Sequence, residues 1–436
     1  MPDRGNNTAD QANVFIVDGS RTPFLKTTGV PGPFTASDLA VHSARPLLAR
    51  QTFEPSRFDE VIMGCIMPSP DEANIARIVA LRLGCGDKVP GWIVQRNCGS
   101  GMQAIDCAVS NIRAGHSNLV LAGGTESMSH APLMFNKDFV AWLGKFSYAK
   151  TPVDKIKQIA KFRPSMLSPV IALLRGLTDP VVGLNMGQTA EVLAHRFKIS
   201  RTAMDEYAAR SHLRLAAAQA EGRMQEIIDI YDSNGNFYNY DSGVRPDSST
   251  EKLAKLKPVF DRDFGSVTAG NSSQITDGAA WVILASDKAV KEHHLPVLGR
   301  IVDSAWAALM PQQMGLGPVH AMSPIMQRQN LTIKDVDYWE INEAFAAQVL
   351  ACVAAWNDND YCRNELKLDS AMGQIDMDKL NVDGGAVALG HPVGTSGARI
   401  VLHLCHVLAQ KNAKSGMAAI CIGGGQGGAM LIERDS

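Results

Sequence analysis

Two distant stretches of this chain run in the same order, and that repetition limits the folds open to it more than any other feature. In the first, PGWIV reads as a short apolar strand, RNCGSG as a glycine-rich corner, MQAIDCAVSNIRAG as a helix with apolar positions every three to four residues, and NLVLAGG as a strand ending on glycines. In the second, DVDYWEIN is strand-like, GTSGARIVLHLCHVLAQ is helical, and GMAAICIGGG is an apolar strand that again ends on glycines. The likeness is one of pattern rather than of identities, and it predicts an internally duplicated α/β chain. Upstream, a strand from Asn13 to Val17, a helix from Leu39 to Leu48 and a strand from Glu60 to Cys65 keep the same rhythm, which implies sheets layered with helices.

At 436 residues the chain exceeds one simple domain, and the repetition divides it into an N-terminal half, 1–290, and a C-terminal half, 291–436. Composition changes between about residues 130 and 267: KIKQIAKFRPSMLSPVIALLRGL, the charged MDEYAARSHLRLAAAQAEG and the polar SNGNFYNYDSG read as an inserted, mostly helical loop subdomain. Inside it, the run from Lys155 to Leu177 sets Lys155, Lys157, Lys161 and Arg163 beside apolar side chains, a pattern that suits a membrane surface or a partner. Broken by Pro164 and Pro169, the same run reads better as an amphipathic lid.

Charge excludes one class of function. With 42 basic against 44 acidic residues, the chain has no global field that would draw in nucleic acid. The N-terminal MPDRGNNTADQ is polar and carries no apolar signal, and no apolar stretch is long enough to span a bilayer, so the expected location is the cytoplasm. Eight cysteines (Cys65, Cys85, Cys98, Cys107, Cys352, Cys362, Cys405 and Cys421) are scattered without a CxxC pair or zinc-like spacing, which argues against disulfides and against a metal. Most of them read as small buried hydrophobes.

Four corners depart from that reading. Cys98, in Asn97-Cys98-Gly99-Ser100-Gly101, stands where a strand turns into a helix, so unpaired helix N-terminal amides are expected to lower its pKa and favour the nucleophilic thiolate. His391 sits in the small-residue loop GGAVALGHPVG, and a pKa near about 6.5 would suit it to proton transfer. Cys421 ends the last apolar strand in CIGGGQGG, whose backbone N–H groups suit an oxyanion and whose thiol could move a proton. Gly423, Gly425 and Gly428 formally fit a dinucleotide fingerprint, but the strand-like AMLIE follows where a helix is needed. Asn342, after the strand-like YWEI, could orient a water or donate to a polarised carbonyl. A packed thiol, a core histidine and a capping asparagine are the ordinary alternatives for each alone.

Taken together, NCGSGMQA, GGTESMSHAP, TAGNSSQITDGAA, NEAFAAQ, GGAVALGHPVGTSGAR and CIGGGQGGAM resemble the signatures of the thiolase family, in order and over essentially the whole chain. The resemblance implies a thiolase-like fold, two duplicated α/β halves layered αβαβα. It implies that Cys98 is the acylated nucleophile, His391 its base, and Cys421 the acid/base at the substrate's α-carbon. His391 and an Asn342-held water would serve the thioester oxygen, and the amides of Cys98 and Gly423 the tetrahedral oxygen. Coenzyme A would be a co-substrate, with no permanently bound cofactor. Ser273 and Met186 would line its pantetheine, Phe260 would pack nearby, and Arg245 would lie at the nucleotide end.

The activity so implied is a 3-ketoacyl-CoA thiolase of broad or medium-to-long chain preference acting in fatty-acid β-oxidation, with an acetyl-CoA acetyltransferase for four-carbon substrates as the alternative. Asn185 stands where short-chain biosynthetic members carry His before the methionine of the MG-x-T block. The segment RPSMLSPVIALLRGL is similar to β-subunits of fatty-acid oxidation complexes, which implies a hydratase/dehydrogenase partner, although those usually have His where Asn342 stands. A homodimer or homotetramer is expected from the family. A decarboxylating ketoacyl synthase, which would normally replace Cys421 by a histidine, and a non-catalytic acyl-CoA carrier are the rival readings.

Overall fold

The apolar run VFIV opens strand β1 (Val14–Arg21), which is buried on both faces and lies at the centre of a mixed ten-stranded sheet. The computed structural model describes residues 12–434; the polar stretch MPDRGNNTADQ lies outside them. After β1 come the short β2 (Leu25–Lys26), helix α1 (Ala36–Ala49), β3 (Glu60–Gly64), α2 (Ile75–Arg82), β4 (Gly91–Val94), α3 (Ser100–Arg113) and β5 (Leu119–Ser127). A long excursion follows: β6 (Leu133–Met134), α4 (Lys137–Ser147), α5 (Pro152–Ile159), β7 (Val170–Ile171), α6 (Ala172–Gly176), α7 (Met186–Arg196), α8 (Arg201–Ala220), β8 (Ile230–Tyr231), β9 (Phe237–Tyr238) and α9 (Thr250–Leu253). The chain then rejoins the sheet through β10 (Thr276–Ser286), α10 (Asp287–His293) and β11 (Gly299–Ala308). It closes with α11 (Gly317–Arg328), β12 (Tyr338–Ile341), α12 (Ala346–Asn357), α13 (Asn359–Asn364), α14 (Ala386–Leu389), α15 (Ser396–Gln410), β13 (Ser415–Ile422) and β14 (Gln426–Glu433).

The strand pairings repeat on the two sides of one junction. From β1 outward the order is β10, β5, β3, β4, antiparallel for the first two pairings and parallel for the next two. From β11 outward it is β14, β13, β12 and a parallel bridge at Leu380, with the same sequence of senses. β1 and β11 join the two sets through Phe15 opposite Arg300 and Ile16 opposite Gly299.

Alternation along the strands sends side chains to three apolar clusters. Val17, Val61, Met63 and Leu121 pack against α1 and α2, whereas Val14, Ile16, Ile62 and Val120 pack against α3 and α15. Ile420, Ile422 and Met430 face α3 and α15 from the other set of strands, whose opposite faces are covered by α11 and α12. Helix α15 is therefore buried on nearly all sides, which explains why LHLC in its sequence lacks a polar stripe.

Close approach of α3 and α15 fixes the centre of the molecule. Each begins with Ser-Gly, and a Cβ on Gly101 would lie 2.9 Å from the Ala398 nitrogen, while one on Gly397 would lie 2.6 Å from the Met102 nitrogen. Only glycine permits backbones to touch there. The loops entering these helices, which carry Cys98 and His391, are brought together as a result.

The excursion behaves as two pieces. Leu193, Met204 and Tyr207 of α7 and α8 join the core around α11 and α12. By contrast, α4, α5 and α6 bury no residue fully, and Val153, Ile156 and Ile159 remain exposed. Among the described residues, no helix is long and apolar enough to cross a membrane.

Candidate active site

Cys98 stands on the corner between β4 and α3. Asn97 takes a left-handed conformation there (φ 43°), which asparagine tolerates better than most residues, and Ser100 laces the turn by accepting from the Arg96 N–H at 2.9 Å and donating to the Asn97 carbonyl at 2.7 Å. On the far side, β13 delivers Cys421 and then turns through Gly424 and Gly425 (φ 89° and 76°) into β14. The glycine pattern there is a hairpin turn between strands, with no helix to hold a dinucleotide. Asn97 Nδ2 donates to the Gly423 carbonyl at 2.8 Å, tying the two corners together.

Cys98, His391 and Cys421 all line one cavity of about 590 Å³. Arg245, Ser273, Met186 and Phe260 line it too, so seven of the nine residues singled out from sequence meet there. Gly423 is not part of the wall; its N–H and that of Cys98 itself point at the Cys98 sulfur. Asn342 lies behind the wall, fully buried, with its N–H bonded to the carbonyl of Ala419 in the strand that carries Cys421. Its Nδ2 has no partner among the described residues.

Two electrostatic expectations are corrected. The helix terminus was expected to lower the Cys98 pKa, yet desolvation pushes the thiol up and outweighs the opposing pull of the Gly423 and Cys98 amides. The residue keeps some accessible surface, while the sulfur itself is desolvated by the groups packed around it. His391 was expected near its ordinary value; burial, with the nearby positive charge of Arg399, lowers it to about 3. The imidazole is thus neutral at any physiological pH. Cys421 is pushed well above the ordinary thiol value by burial, then by its proximity to Cys98 and Cys352, and stays an S–H donor.

Hydrogen bonds set the tautomer of His391. Ser396 Oγ donates to the Pro392 carbonyl at 3.1 Å, so at 2.6 Å it accepts from His391 Nδ1–H. Nε2 is left as a bare lone pair, buried and, among the described residues, unpartnered. Ser396 was not singled out from sequence, although its position on the first turn of the helix that follows the histidine loop was a readable signal. Two further residues were missed. Gln274 donates to the carbonyls of Gly243 and Ala388 at 2.8 and 3.0 Å and receives the His391 N–H on its own backbone carbonyl at 2.9 Å. Glu126, pushed up to about 7 by burial, accepts from the N–H groups of Ile66, Met67 and Gly394, each at 3.0 Å, and so clamps the histidine loop.

Asn185 lines the same cavity. It caps α7 reciprocally with Gln188 and contributes to the cavity wall beside Leu174 and Leu177 of the lid segment.

Comparison with known proteins places this geometry. The profile described as "Thiolase, N-terminal domain" matches residues 14–288, and "Thiolase, C-terminal domain" matches residues 295–434. The mitochondrial 3-ketoacyl-CoA thiolase of Homo sapiens is 39% identical over 426 residues, 96% of this chain and 98% of that protein. The mitochondrial trifunctional enzyme subunit beta of Bos taurus is 35% identical over 423 residues, 97% of this chain and 88% of that protein. Among solved structures, the human mitochondrial 3-ketoacyl-CoA thiolase in complex with CoA superposes with a TM-score of 0.84 at 38% identity, covering 97% of this chain and 98% of that one. An acetyl-CoA acetyltransferase of Bacillus anthracis superposes with a TM-score of 0.81 at 35% identity, covering 97% of this chain and 99% of that one.

Proposed function

Because this chain belongs to the thiolase family, we propose that it is a 3-ketoacyl-CoA thiolase whose acyl carrier is Cys98. The observation that carries the reading is the convergence of Cys98, His391 and Cys421 on one cavity, with the His391 Nε2 lone pair unpartnered. On this reading the chain is two α/β halves, 1–290 and 291–436, layered αβαβα, a division supported by the mirrored strand pairings and the three apolar clusters.

In the degradative direction His391 takes the Cys98 proton, and the thiolate adds to the β-keto carbon, moving the carbonyl electron pair onto oxygen. Concerted help from His391 is needed because the thiol's pKa is raised and the histidine's lowered, so a free thiolate–imidazolium pair is costly. The amides of Cys98 and Gly423 receive the oxyanion. Its collapse breaks the bond to the α-carbon, whose electron pair passes into the enolate of acetyl-CoA, with His391 and an Asn342-held water serving that oxygen. Cys421 protonates the α-carbon. A fresh CoA thiol then gives its proton to Cys421 and attacks acyl-Cys98, and the sulfur of Cys98 leaves and recovers its proton from His391. Turnover is ping-pong, and CoA is the only co-substrate.

Met186, Phe260 and Ser273 suit the pantetheine arm and Arg245 the nucleotide phosphates. Apolar Leu174, Leu177 and Met128 in the wall favour medium-to-long acyl chains over four-carbon substrates alone. A homo-oligomer, and a hydratase/dehydrogenase partner of the kind suggested by the bovine relative's name, belong to the same reading.

The test is CoA-dependent cleavage of acetoacetyl-CoA against longer 3-ketoacyl-CoA esters, with wild type and Cys98→Ser. Cleavage that collapses in the variant is expected. Malonyl-donor condensation without thiolysis would instead identify a synthase, and unchanged cellular function of Cys98→Ser would identify a carrier.

A further inference from the structure

Arg399 projects from the first turn of α15 into the space between β12 and the histidine loop and is almost completely buried. Its Nη1 pairs with Glu340 Oε2 at 3.2 Å, and its Nη2 lies 3.4 Å from Asn342 Oδ1. Glu340 is held in turn within reach of His403, which bonds Glu226, and Glu226 pairs with Arg21; Arg21 also pairs with Asp241. This buried ionic row fixes the guanidinium from behind, so it cannot follow Asn342 if the amide turns. A guanidinium has donors only, so it can face the amide oxygen and not the amide nitrogen. The carboxamide is thereby locked in one of its two orientations, and the nitrogen is left buried without a partner. Arg399 gives up no proton in the steps above, and its charge acts on His391 only by adding to the burial that keeps the imidazole neutral.

We propose that Arg399 is a positioning residue for carbon–carbon bond cleavage, turning the oxygen of Asn342 toward its guanidinium and the nitrogen toward the water that serves the enolate oxygen. The inference rests on the role given to Asn342 under the proposed function. With Arg399 absent the amide is free to flip, and half of its orientations turn an oxygen to that water and take a hydrogen it would otherwise offer the developing negative charge. Transfer of the acyl group between Cys98 and CoA builds charge only at the Cys98 and Gly423 amides, so it does not depend on this lock.

The two steps can be read separately, as cleavage of a 3-ketoacyl-CoA and as exchange of labelled CoA into acetyl-CoA. Arg399→Gln is expected to slow cleavage by about 10- to 100-fold while exchange stays within about threefold of wild type. Because that change leaves Glu340 without its cation, the Arg399→Gln/Glu340→Gln pair, which removes both charges, is measured beside it and should show the same split. Asn342→Ala should also slow cleavage selectively, and adding Arg399→Gln to it should cost less than about a further twofold. Equal losses in cleavage and exchange for both Arg399 variants, or no loss in either, would overturn the proposal while leaving the role of Asn342 standing. Normal cleavage by Asn342→Ala would overturn the reading of Asn342 itself.

Discussion

The side-chain amide of Asn97 donates to the backbone carbonyl of Gly423 at 2.8 Å, joining the residue before the nucleophile to the residue whose N–H faces the same sulfur. One hydrogen bond thus sets the spacing of the two amides that receive the tetrahedral oxyanion. Asn97→Gly keeps the left-handed backbone at no steric cost and removes only the amide. We expect kcat for both cleavage and CoA exchange to fall about 10- to 100-fold, since both steps use that oxyanion site. The loss of stability should stay near ~1 kcal/mol by denaturant unfolding. A variant with wild-type exchange would show that the corner is held by other contacts.

Gly99 gives a steric test of the same junction. A Cβ there would lie 2.5 Å from Ile422 Cδ1, the flexible end of the residue after Cys421. Gly99→Ala should therefore push the two corners apart, lowering activity and costing about 1–3 kcal/mol of stability. Ile422→Val removes the Cδ1 methyl and should restore part of both in the double variant. Failure of that rescue, measured by thiolysis rate and midpoint of unfolding, would place the strain elsewhere.

Glycine corners made much of this site legible. Cys98 lies just past a short apolar strand and Cys421 near the end of another, each close before glycines, signals that depend only on neighbouring residues. The repeated strand and helix order was visible for the same reason. Convergence itself was not, because it follows from the touching backbones of Gly101 and Gly397 and from the register that sets Ile341 opposite Ala419. The direction of the Cys98 pKa shift was misread, and the lowering of His391 was not foreseen, because a motif shows the helix end but not the desolvation that outweighs it. Asn342 was read as orienting a water or donating to a polarised carbonyl, yet the orientation of its amide follows from the buried guanidinium of Arg399, on a later helix.

Neutral His391 has consequences for pH. Its folded value of about 3 lies below the ordinary 6.5, so between those values the unfolded chain binds a proton that the folded site refuses. Its contribution is complete above pH 6.5 and lost as pH falls toward 3, at up to ~1.4 kcal/mol per pH unit. His212, lowered to about 4 by burial and then by Arg245 and Lys26, adds a slope of the same sign. Denaturant unfolding from pH 7 to 5 should therefore show a smaller loss for His391→Gln than for wild type; equal losses would contradict the buried neutral imidazole. Ser396→Ala, which frees Nδ1, should lower kcat by about tenfold by admitting the wrong tautomer.

Cys421 separates proton transfer from acyl transfer most directly. Its thiol stays protonated because burial and the neighbouring sulfurs oppose a second thiolate, and it stands 1% exposed at the strand end beside the cavity. Cys421→Ala removes the α-carbon's proton donor without touching Cys98 or its two amides. Cleavage of 3-ketoacyl-CoA should fall by about 10²–10⁴. The fall should be equal for every acyl length, because the α-carbon lies at the same distance from the thioester in all of them. Exchange of labelled CoA into acetyl-CoA needs no α-proton and uses Cys421 only to relay the proton of CoA's own, far more acidic thiol, so it should fall by much less than cleavage. An acyl-length-dependent loss would mean that Cys421 shapes the acyl site instead, and a variant that cleaves normally would require the proton to come from elsewhere.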